Sequence, residues 1–203
     1  MADPDLCIRL ERGSVGYPEA LERLGAAAPA VLTLRGAARL LRLPLVGLFC
    51  SVHAPGGAVL AVYDSTRALR DAGTPVIGGF QSPLERECLE FLLRGPAPVV
   101  VCPARSIETM RLPDHFRRAI AEDRLLLLSP FPARRRPDAA MAALRNRVVA
   151  ALAARVLFLH ASRGGRLRAL AAETLARGTP TFCLDLPEND ELRVLGAMPH
   201  LPA

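Results

Sequence analysis

Residues 144–165 read LRNRVVAALAARVLFLHASRGG. The first part, which ends at Leu152, has the apolar spacing of a helix and carries Arg-Asn-Arg at 145–147. The run 156–160 is typical of a strand that is buried on both faces, and two glycines then precede another helical pattern. In an open α/β sheet this order brings guanidinium groups, an amide and a helix N-terminus to one edge, where an anion can bind.

The same alternation of strand and helix patterns continues on both sides of this stretch. Six short apolar runs are predicted to be strands, at 45–50, 74–77, 98–102, 124–128, 155–160 and 179–184. Helical spacing is found at 59–72, 83–94, 107–122, 138–153 and 166–177. The pattern predicts an α/β fold, with a doubly wound, mostly parallel sheet of about six strands flanked by helices. Right-handed crossovers then gather the loops that follow the strands at one edge of the sheet.

Apolar content and cysteine spacing exclude several classes of protein. The mean hydropathy is +0.23, yet no apolar run reaches the roughly 20 residues that a membrane-spanning helix needs. The N-terminus lacks the features of a signal peptide, so we expect a cytoplasmic protein with no membrane partner. The five cysteines lack the spacing of metal ligands and are predicted to be reduced thiols. No metal, no cofactor and no catalytic residue is predicted.

The chain is strongly basic. Its formal net charge is +6, and all 26 basic side chains are arginines. Arginine favours planar, bidentate contacts with phosphate, so a polyanionic partner is compatible with this charge. The alternative is that a GC-rich genome enriches arginine together with alanine, proline, leucine and glycine.

Several of these motifs resemble the DNA-processing protein A (DprA, also called Smf) family. The closest likeness is RNRVVAAL at 145–152, where the family has RNRIIAGL. GGRL at 164–167 stands where the family has Ser-Gly-Ser-Leu, and Gly78-Gly79 stands where it has Ser-Gly. Further matching positions are Tyr17, Pro18, Leu21, Leu24, Pro29, Leu32, Gly36, Val46, Gly47 and the strand at 180–184. The resemblance covers roughly residues 17–185.

Other positions depart from the family pattern. The first loop reads VGLFCS at 46–51 where the family has Val-Gly-Ser-Arg, so the early arginine is missing. FQSPLE at 80–85 replaces the Gly-Ile-Asp and Ala-His of the family, and His160 stands at the usual place of an acidic residue. We therefore expect a short, divergent member that consists of the Rossmann-like core alone.

The pattern of strands and helices also divides the chain into three expected parts. Residues 1–44 are expected to form an N-terminal appendage that packs on the core, with short helices at 17–24 and 37–41. Residues 45–185 form the Rossmann-like core domain, of the type shared by DprA and the LOG-type nucleotide hydrolases. Residues 186–203, with three prolines, are expected to form an irregular C-terminal tail.

For function, the resemblance implies binding of single-stranded DNA on a basic edge, a homodimer, and transfer of DNA to a RecA-type recombinase. The alternative is a LOG-like protein that binds, hydrolyses or senses a nucleotide, with Glu85 as its acid. The loop at 161–172 lacks the threonine and glutamate of the LOG motif, which weakens that alternative. A third alternative is a scaffold that only dimerises and recruits a partner.

The candidate phosphate-binding or nucleic-acid-binding residues all fall at the predicted edge. They are Arg145, Asn146, Arg147, Gly164, Gly165, Arg166, Ser51, Gly79, Phe80, Ser82 and Arg105. The arginines at 134–136 add a cationic loop that is either a nucleic-acid patch or solvated surface.

Each candidate also has a structural explanation. For the triplet at 145–147, the alternative is that one arginine caps a neighbouring strand end through carbonyls or a carboxylate and the others are solvated. For the two glycines, the alternative is a simple turn. Ser82 with Pro83 and Glu85 has the pattern of a helix N-cap, and Phe80 is either a stacking platform or a lid on the core.

Overall fold

The computed structural model describes residues 3–132 and 136–200. Its strands are β1 (Ile8–Glu11), β2 (Val31–Gly36), β3 (Val46–Cys50), β4 (Val76–Gly78), β5 (Val99–Val101), β6 (Leu125–Ser129), β7 (Arg155–His160), β8 (Thr181–Leu184) and β9 (Met198–His200). Its α-helices are α1 (Gly56–Asp71), α2 (Pro83–Leu93), α3 (Asp114–Ala121), α4 (Ala139–Leu152), α5 (Arg166–Ala176) and α6 (Asp190–Val194). Short 3-10 helices lie at Glu19–Ala27, Ala38–Arg42 and Pro187–Asn189.

The strands form one sheet in the order β1-β2-β6-β5-β4-β3-β7-β8-β9. From β6 to β9 every neighbouring pair is parallel, while β1 and β2 join antiparallel to the β6 side. The chain adds β4, β5 and β6 on one side of β3 and then returns to add β7, β8 and β9 on the other. The doubly wound, mostly parallel sheet is therefore confirmed. The direction in which successive strands are added reverses at β3.

All six predicted strands are present, and the sheet has three more. The extra strands, β1, β2 and β9, carry the sheet across the boundaries expected at residues 44 and 185. Both outermost strands are largely exposed, so they lack the apolar runs by which the inner strands were recognised. The expectation of an irregular tail after residue 185 is corrected for residues 187–200, which hold a 3-10 helix, α6 and β9.

Two apolar cores lie on opposite faces of the sheet. One contains side chains of α1, α2 and α3, such as Val62, Leu89 and Ile120. The other contains side chains of α4, α5 and α6, together with the first two 3-10 helices. Strands such as β3 and β6 are buried along their whole length, which explains their continuous apolar runs.

Local signals place the start of two helices correctly and one too early. Ser82 caps α2, with Pro83 in its first turn and a capping box to Glu85, as the sequence predicts. Asp138 caps α4. The helix expected from residue 107 begins only at Asp114, because Pro113 disfavours helical backbone in the residue before it.

An ion-pair network ties the N-terminal segment to the core. The carboxylate of Asp5 accepts hydrogen bonds from the guanidinium groups of Arg35 in β2 and Arg117 in α3, at 2.6–2.9 Å. The buried Arg35 also donates to the carbonyl oxygens of Pro4 and of Met110, at 2.8 Å for the latter. The segment before β1 therefore crosses over to the loop that precedes α3.

We expect Asp5→Asn to lower the midpoint of thermal unfolding at neutral pH. Hydrogen bonds from Arg117 hold the pKa of Asp5 at about 2, below its ordinary value of 3.8. Because the pKa of Asp5 is lower in the folded state, its ion pairs contribute fully to stability when the pH is above the ordinary pKa of 3.8. This contribution is lost as the pH falls through about 2. The difference in unfolding midpoint between wild type and Asp5→Asn, measured by circular dichroism, should therefore become smaller from pH 4 to pH 2.

The matched control is Asp64→Asn, since the Asp64 carboxylate is exposed and has only a 3.4 Å contact with Arg67. This variant should unfold at the wild-type midpoint at every pH. A difference between Asp5→Asn and wild type that stays constant down to pH 2 would show that the ion pairs contribute nothing.

Within the residues described, no helix combines the length and apolar character that crossing a bilayer requires.

Candidate nucleic-acid interface

The loops that follow β3 and β7 meet at the point of the sheet where the order of strand addition reverses. The backbone N–H of Ser51 donates to the carbonyl oxygen of His160 at 2.9 Å, and the Ser51 hydroxyl accepts from the N–H of Ser162 at 2.9 Å. Ligands of doubly wound sheets bind in the crevice beside such a reversal. Here Ser51 joins the two loops.

Arg145 is the buried cation of this edge. Only 6% of the residue is exposed, and its Nε donates to the Asn146 Oδ1 at 2.7 Å. Its Nη1 donates to the carbonyl oxygen of Cys102 at 3.2 Å, and its Nη2 to the Gln81 Oε1 at 3.3 Å. All three acceptors are neutral, and no carboxylate within residues 3–132 and 136–200 forms an ion pair with it. Burial therefore lowers the pKa of Arg145, although the guanidinium remains charged at neutral pH.

Gly79 makes the position of this guanidinium possible. A Cβ atom at residue 79 would lie 1.6 Å from the Arg145 Nη1, well inside van der Waals contact. The cation thus packs directly on the backbone of the loop that follows β4. The sequence singled out both residues, but nothing in it paired them.

The next residues of this loop serve the fold. Phe80 adopts a left-handed backbone conformation (φ 48°), and only 7% of it is exposed, so it is a lid on the core. The Ser82 hydroxyl accepts from the N–H of Glu85 at 3.2 Å. The Glu85 carboxylate in turn accepts from the N–H groups of Gln81 and Ser82, at 3.0 and 2.9 Å. These bonds form the capping box of α2, so the Ser82 hydroxyl already serves as the N-cap acceptor.

Arg147 has a different partner from Arg145. Its Nε and Nη2 form a bidentate ion pair with Glu173 of α5, at 2.8 and 2.7 Å. The hydrogen bond from Arg147 lowers the pKa of Glu173, and Arg177 approaches the same carboxylate. Sequence reasoning did not find this role of Glu173.

The glycine turn also has a carboxylate partner. The N–H of Gly164 donates to the Glu191 Oε2 at 3.0 Å, and the N–H of Gly165 donates to the carbonyl oxygen of Ser162 at 2.9 Å. The sequence predicts that the arginines at 145–147 and the glycines at 164 and 165 share one anion-attracting edge. In the structure these groups have separate internal partners: Arg145 contacts the loops after β4 and β5, Arg147 pairs with Glu173, and the turn contacts Glu191 of α6.

Exposed arginines lie in several loops that follow the parallel strands. Arg105 follows β5, and its Nη2 has a 3.1 Å contact with the sulfur of Met110. Arg163 and Arg166 flank the glycine turn, and neither forms an ion pair with any residue that the structure describes. Arg136 is exposed after β6, while residues 134 and 135 of the cationic loop lie outside the described ranges.

His160 and the buried cysteines add no reactive group to this edge. His160 is 1% exposed, its Nδ1 has no hydrogen-bond partner in the described part of the chain, and burial lowers its pKa. Burial raises the pKa of the thiols of Cys50 and Cys102 to about 12, which keeps them protonated. Over residues 3–132 and 136–200, no three His, Cys, Asp or Glu side chains are placed to hold a metal ion.

The sheet order defines a Rossmann-like α/β protein, and exposed arginines lie in the loops at the carboxyl ends of its parallel strands. The family model of DNA recombination-mediator protein A matches residues 9–191, and the chain belongs to this family.

Solved structures share the fold. DNA processing protein A from Streptococcus pneumoniae superimposes with a TM-score of 0.77 at 18% identity, covering 98% of this chain and 72% of that one. DNA processing protein A from Helicobacter pylori, described by its single-stranded DNA binding mode, superimposes with a TM-score of 0.72 at 22% identity. The match covers 96% of this chain and 89% of that one. The molybdenum cofactor carrier protein of Chlamydomonas reinhardtii gives 0.54 at 12% identity, with coverage of 79% and 91%. Comparison with curated proteins gives no match.

Proposed function

We propose that this protein binds single-stranded DNA through the carboxyl edge of its parallel strands. The observation that carries the proposal is the buried Arg145 guanidinium, whose described hydrogen-bond acceptors are all neutral. The Glu85 carboxylate attracts this cation without forming an ion pair with it. Because a buried cation is costly unless an anion contacts it, a bound phosphate would lower that cost. The long 3.3 Å contact with Gln81 is the one that a DNA phosphate would replace.

The surrounding charge supports a long anion better than a small one. Arg105 follows β5, Arg163 and Arg166 follow β7, and all three are exposed. Several separate cations suit the repeating phosphates of a strand. Family membership and the described binding mode of the Helicobacter pylori protein support the same partner.

The LOG-like alternative is not favoured. It needs Glu85 as a free acid, but this carboxylate accepts two backbone hydrogen bonds in the capping box of α2. The family match also points to DNA processing and recombination.

We extend the proposal to the expected partners and location. Two copies of the chain associate, and the protein acts in the cytoplasm, where it passes DNA to a RecA-type recombinase. Sedimentation velocity and co-elution with a purified recombinase test the two protein partners.

The salt dependence of binding tests the proposed interface. We expect a fluorescein-labelled oligothymidylate to bind at 50 mM NaCl, with affinity falling steeply toward 200 mM as counter-ions are released. Each neutralised phosphate contributes about −0.7 to the slope of log K against log salt. Replacing Arg105, Arg163 and Arg166 with alanine should therefore make the slope shallower by about 2, as measured by fluorescence anisotropy.

The matched control removes three exposed arginines that lie toward the opposite edge, Arg42, Arg67 and Arg94. It makes the same change in net charge and should leave the slope within about one phosphate contact of wild type. Absence of binding even at 50 mM NaCl would refute the proposed function. An equal effect of both triple variants would refute the assigned edge.

A further inference from the structure

A cleft of about 630 Å³ opens beside the buried guanidinium. It lies between α2, α3 and the loops that follow β4 and β5, and we name it the α2–α3 cleft. Its volume is in the range of about 300–1,000 Å³ that is typical of small-ligand sites. The late start of α3 helps to form it, because Met110 and Pro113 line its wall.

The walls of the α2–α3 cleft are mainly apolar and include flat rings. Leu89 and Val101 line its floor, and Phe80 and Phe116 contribute aromatic rings. Phe116 is half-buried, and its ring lies edge-on to the imidazole of His115, with 4.8 Å between the ring centroids. A planar, aromatic ligand with polar edges suits such walls better than an aliphatic one.

The polar groups of the cleft leave an excess of positive charge. Glu90 faces His115, with 3.1 Å between the Oε1 and the Nε2. Arg86 donates to the carbonyl oxygen of Gln81, so its head group is held at the rim. Arg105 lines the same cleft and has no ion pair within the described ranges. An occupant with an anionic end is therefore favoured.

Gln81 connects the cleft to the proposed phosphate site. It lines the cleft, and its Oε1 accepts from the Arg145 Nη2. A planar group inside the cleft and a phosphate near Arg105 or Arg145 are thus neighbours. This is the chemistry of a nucleotide.

We propose that the α2–α3 cleft takes a nucleobase, stacked on Phe116, whose attached phosphate binds at Arg105. The inference deepens the proposed function and rests on it for the source of the base, which is one nucleotide of the bound strand. A free mononucleotide offers the same chemistry, so the experiment has a separate arm for it.

The absence of tryptophan from the sequence allows a direct test. In Phe116→Trp, the only tryptophan stands at the wall of the cleft. Stacking of a base on it should quench its emission as an oligothymidylate saturates the protein. An oligonucleotide of the same length with abasic sites carries the same phosphates and should leave the emission unchanged. Anisotropy of labelled strands in the same samples reports whether DNA is bound.

Two further variants make the test robust. Phe91→Trp is the matched control, since Phe91 lies on α2 against Tyr63 and Arg67, outside the lining of the cleft, and should not be quenched. His115→Trp is a second reporter, because 49% of the His115 side chain is exposed and the larger ring can be accommodated there. His115→Trp reports on the cleft in place of Phe116→Trp if the latter does not fold.

The outcomes separate the cleft from the proposed function. Bound oligothymidylate that quenches neither the reporter at 116 nor that at 115 overturns base binding and leaves DNA binding intact. Failure of all strands to bind refutes the proposed function. In that case, saturable quenching by thymidine monophosphate supports the cleft as a nucleotide site, and no quenching overturns it.

Discussion

Arg145→Met is expected to weaken the binding of single-stranded DNA by about 10- to 150-fold, the loss expected when a hydrogen-bonded charge is removed from a site. The substitution removes the one buried guanidinium of the described edge that has no carboxylate partner. Equilibrium anisotropy at constant salt measures the loss. The loss should be similar for different sequences, because phosphates carry no base information.

Arg145→Met is also expected to lower the unfolding midpoint, because the three acceptors of the guanidinium lose their hydrogen bonds. A purely structural arginine would show the same loss of stability but an unchanged affinity for DNA. Anisotropy at a temperature at which the variant is folded therefore separates the two roles.

The control for this prediction is Arg147→Met, two residues further along α4. Its guanidinium is already neutralised by the bidentate pair with Glu173, so the affinity should stay within about twofold of wild type. Equal losses for both variants would contradict the distinction that the structure makes between these arginines.

Gly79→Ala tests the same site from the opposite side. The added Cβ would lie 1.6 Å from the Arg145 Nη1 and must displace the guanidinium, so binding should fall as in Arg145→Met. Gly57→Ala, where nothing lies within 4 Å of the added atom, should bind like wild type.

Asn189→Ala is expected to lower the free energy of unfolding by about 2–4 kcal/mol, because its buried backbone partners lose their hydrogen bonds. Asn189 is fully buried, and its Oδ1 accepts from the N–H of Ala161 at 2.8 Å. Its Nδ2 donates to the carbonyl oxygens of Leu184 and Leu159, at 2.9 and 3.4 Å. One side chain thus joins the ends of β7 and β8.

In a chain of this length, the loss corresponds to a decrease of about 5–15 °C in the thermal midpoint. Differential scanning calorimetry measures it. Asp185→Ala changes an exposed residue of the same connection and should stay within about 0.5 kcal/mol of wild type. A midpoint of Asn189→Ala within one degree of wild type would show that water replaces these hydrogen bonds.

The inner strands and the helix starts were predictable because their signals are local. β3, β5, β6 and β7 are buried on both faces, so their apolar runs show directly in the sequence. The cap of α2 involves residues three positions apart, and this pattern needs no tertiary context. Exposed edge strands carry no such signal, and β1 and β9 were missed for that reason.

By itself, the sequence determined the alternation of strands and helices, and hence a doubly wound sheet with arginines and glycines in the loops at the carboxyl ends of its strands. Only the tertiary structure decided which arginine is buried without a carboxylate and which is paired with one. Two of the three partners of Arg145 lie 43 and 64 residues away along the chain, and Glu173 lies 26 residues from Arg147. Contacts at such separations depend on the order in which strands pack side by side, and side-chain spacing within one helix does not encode that order.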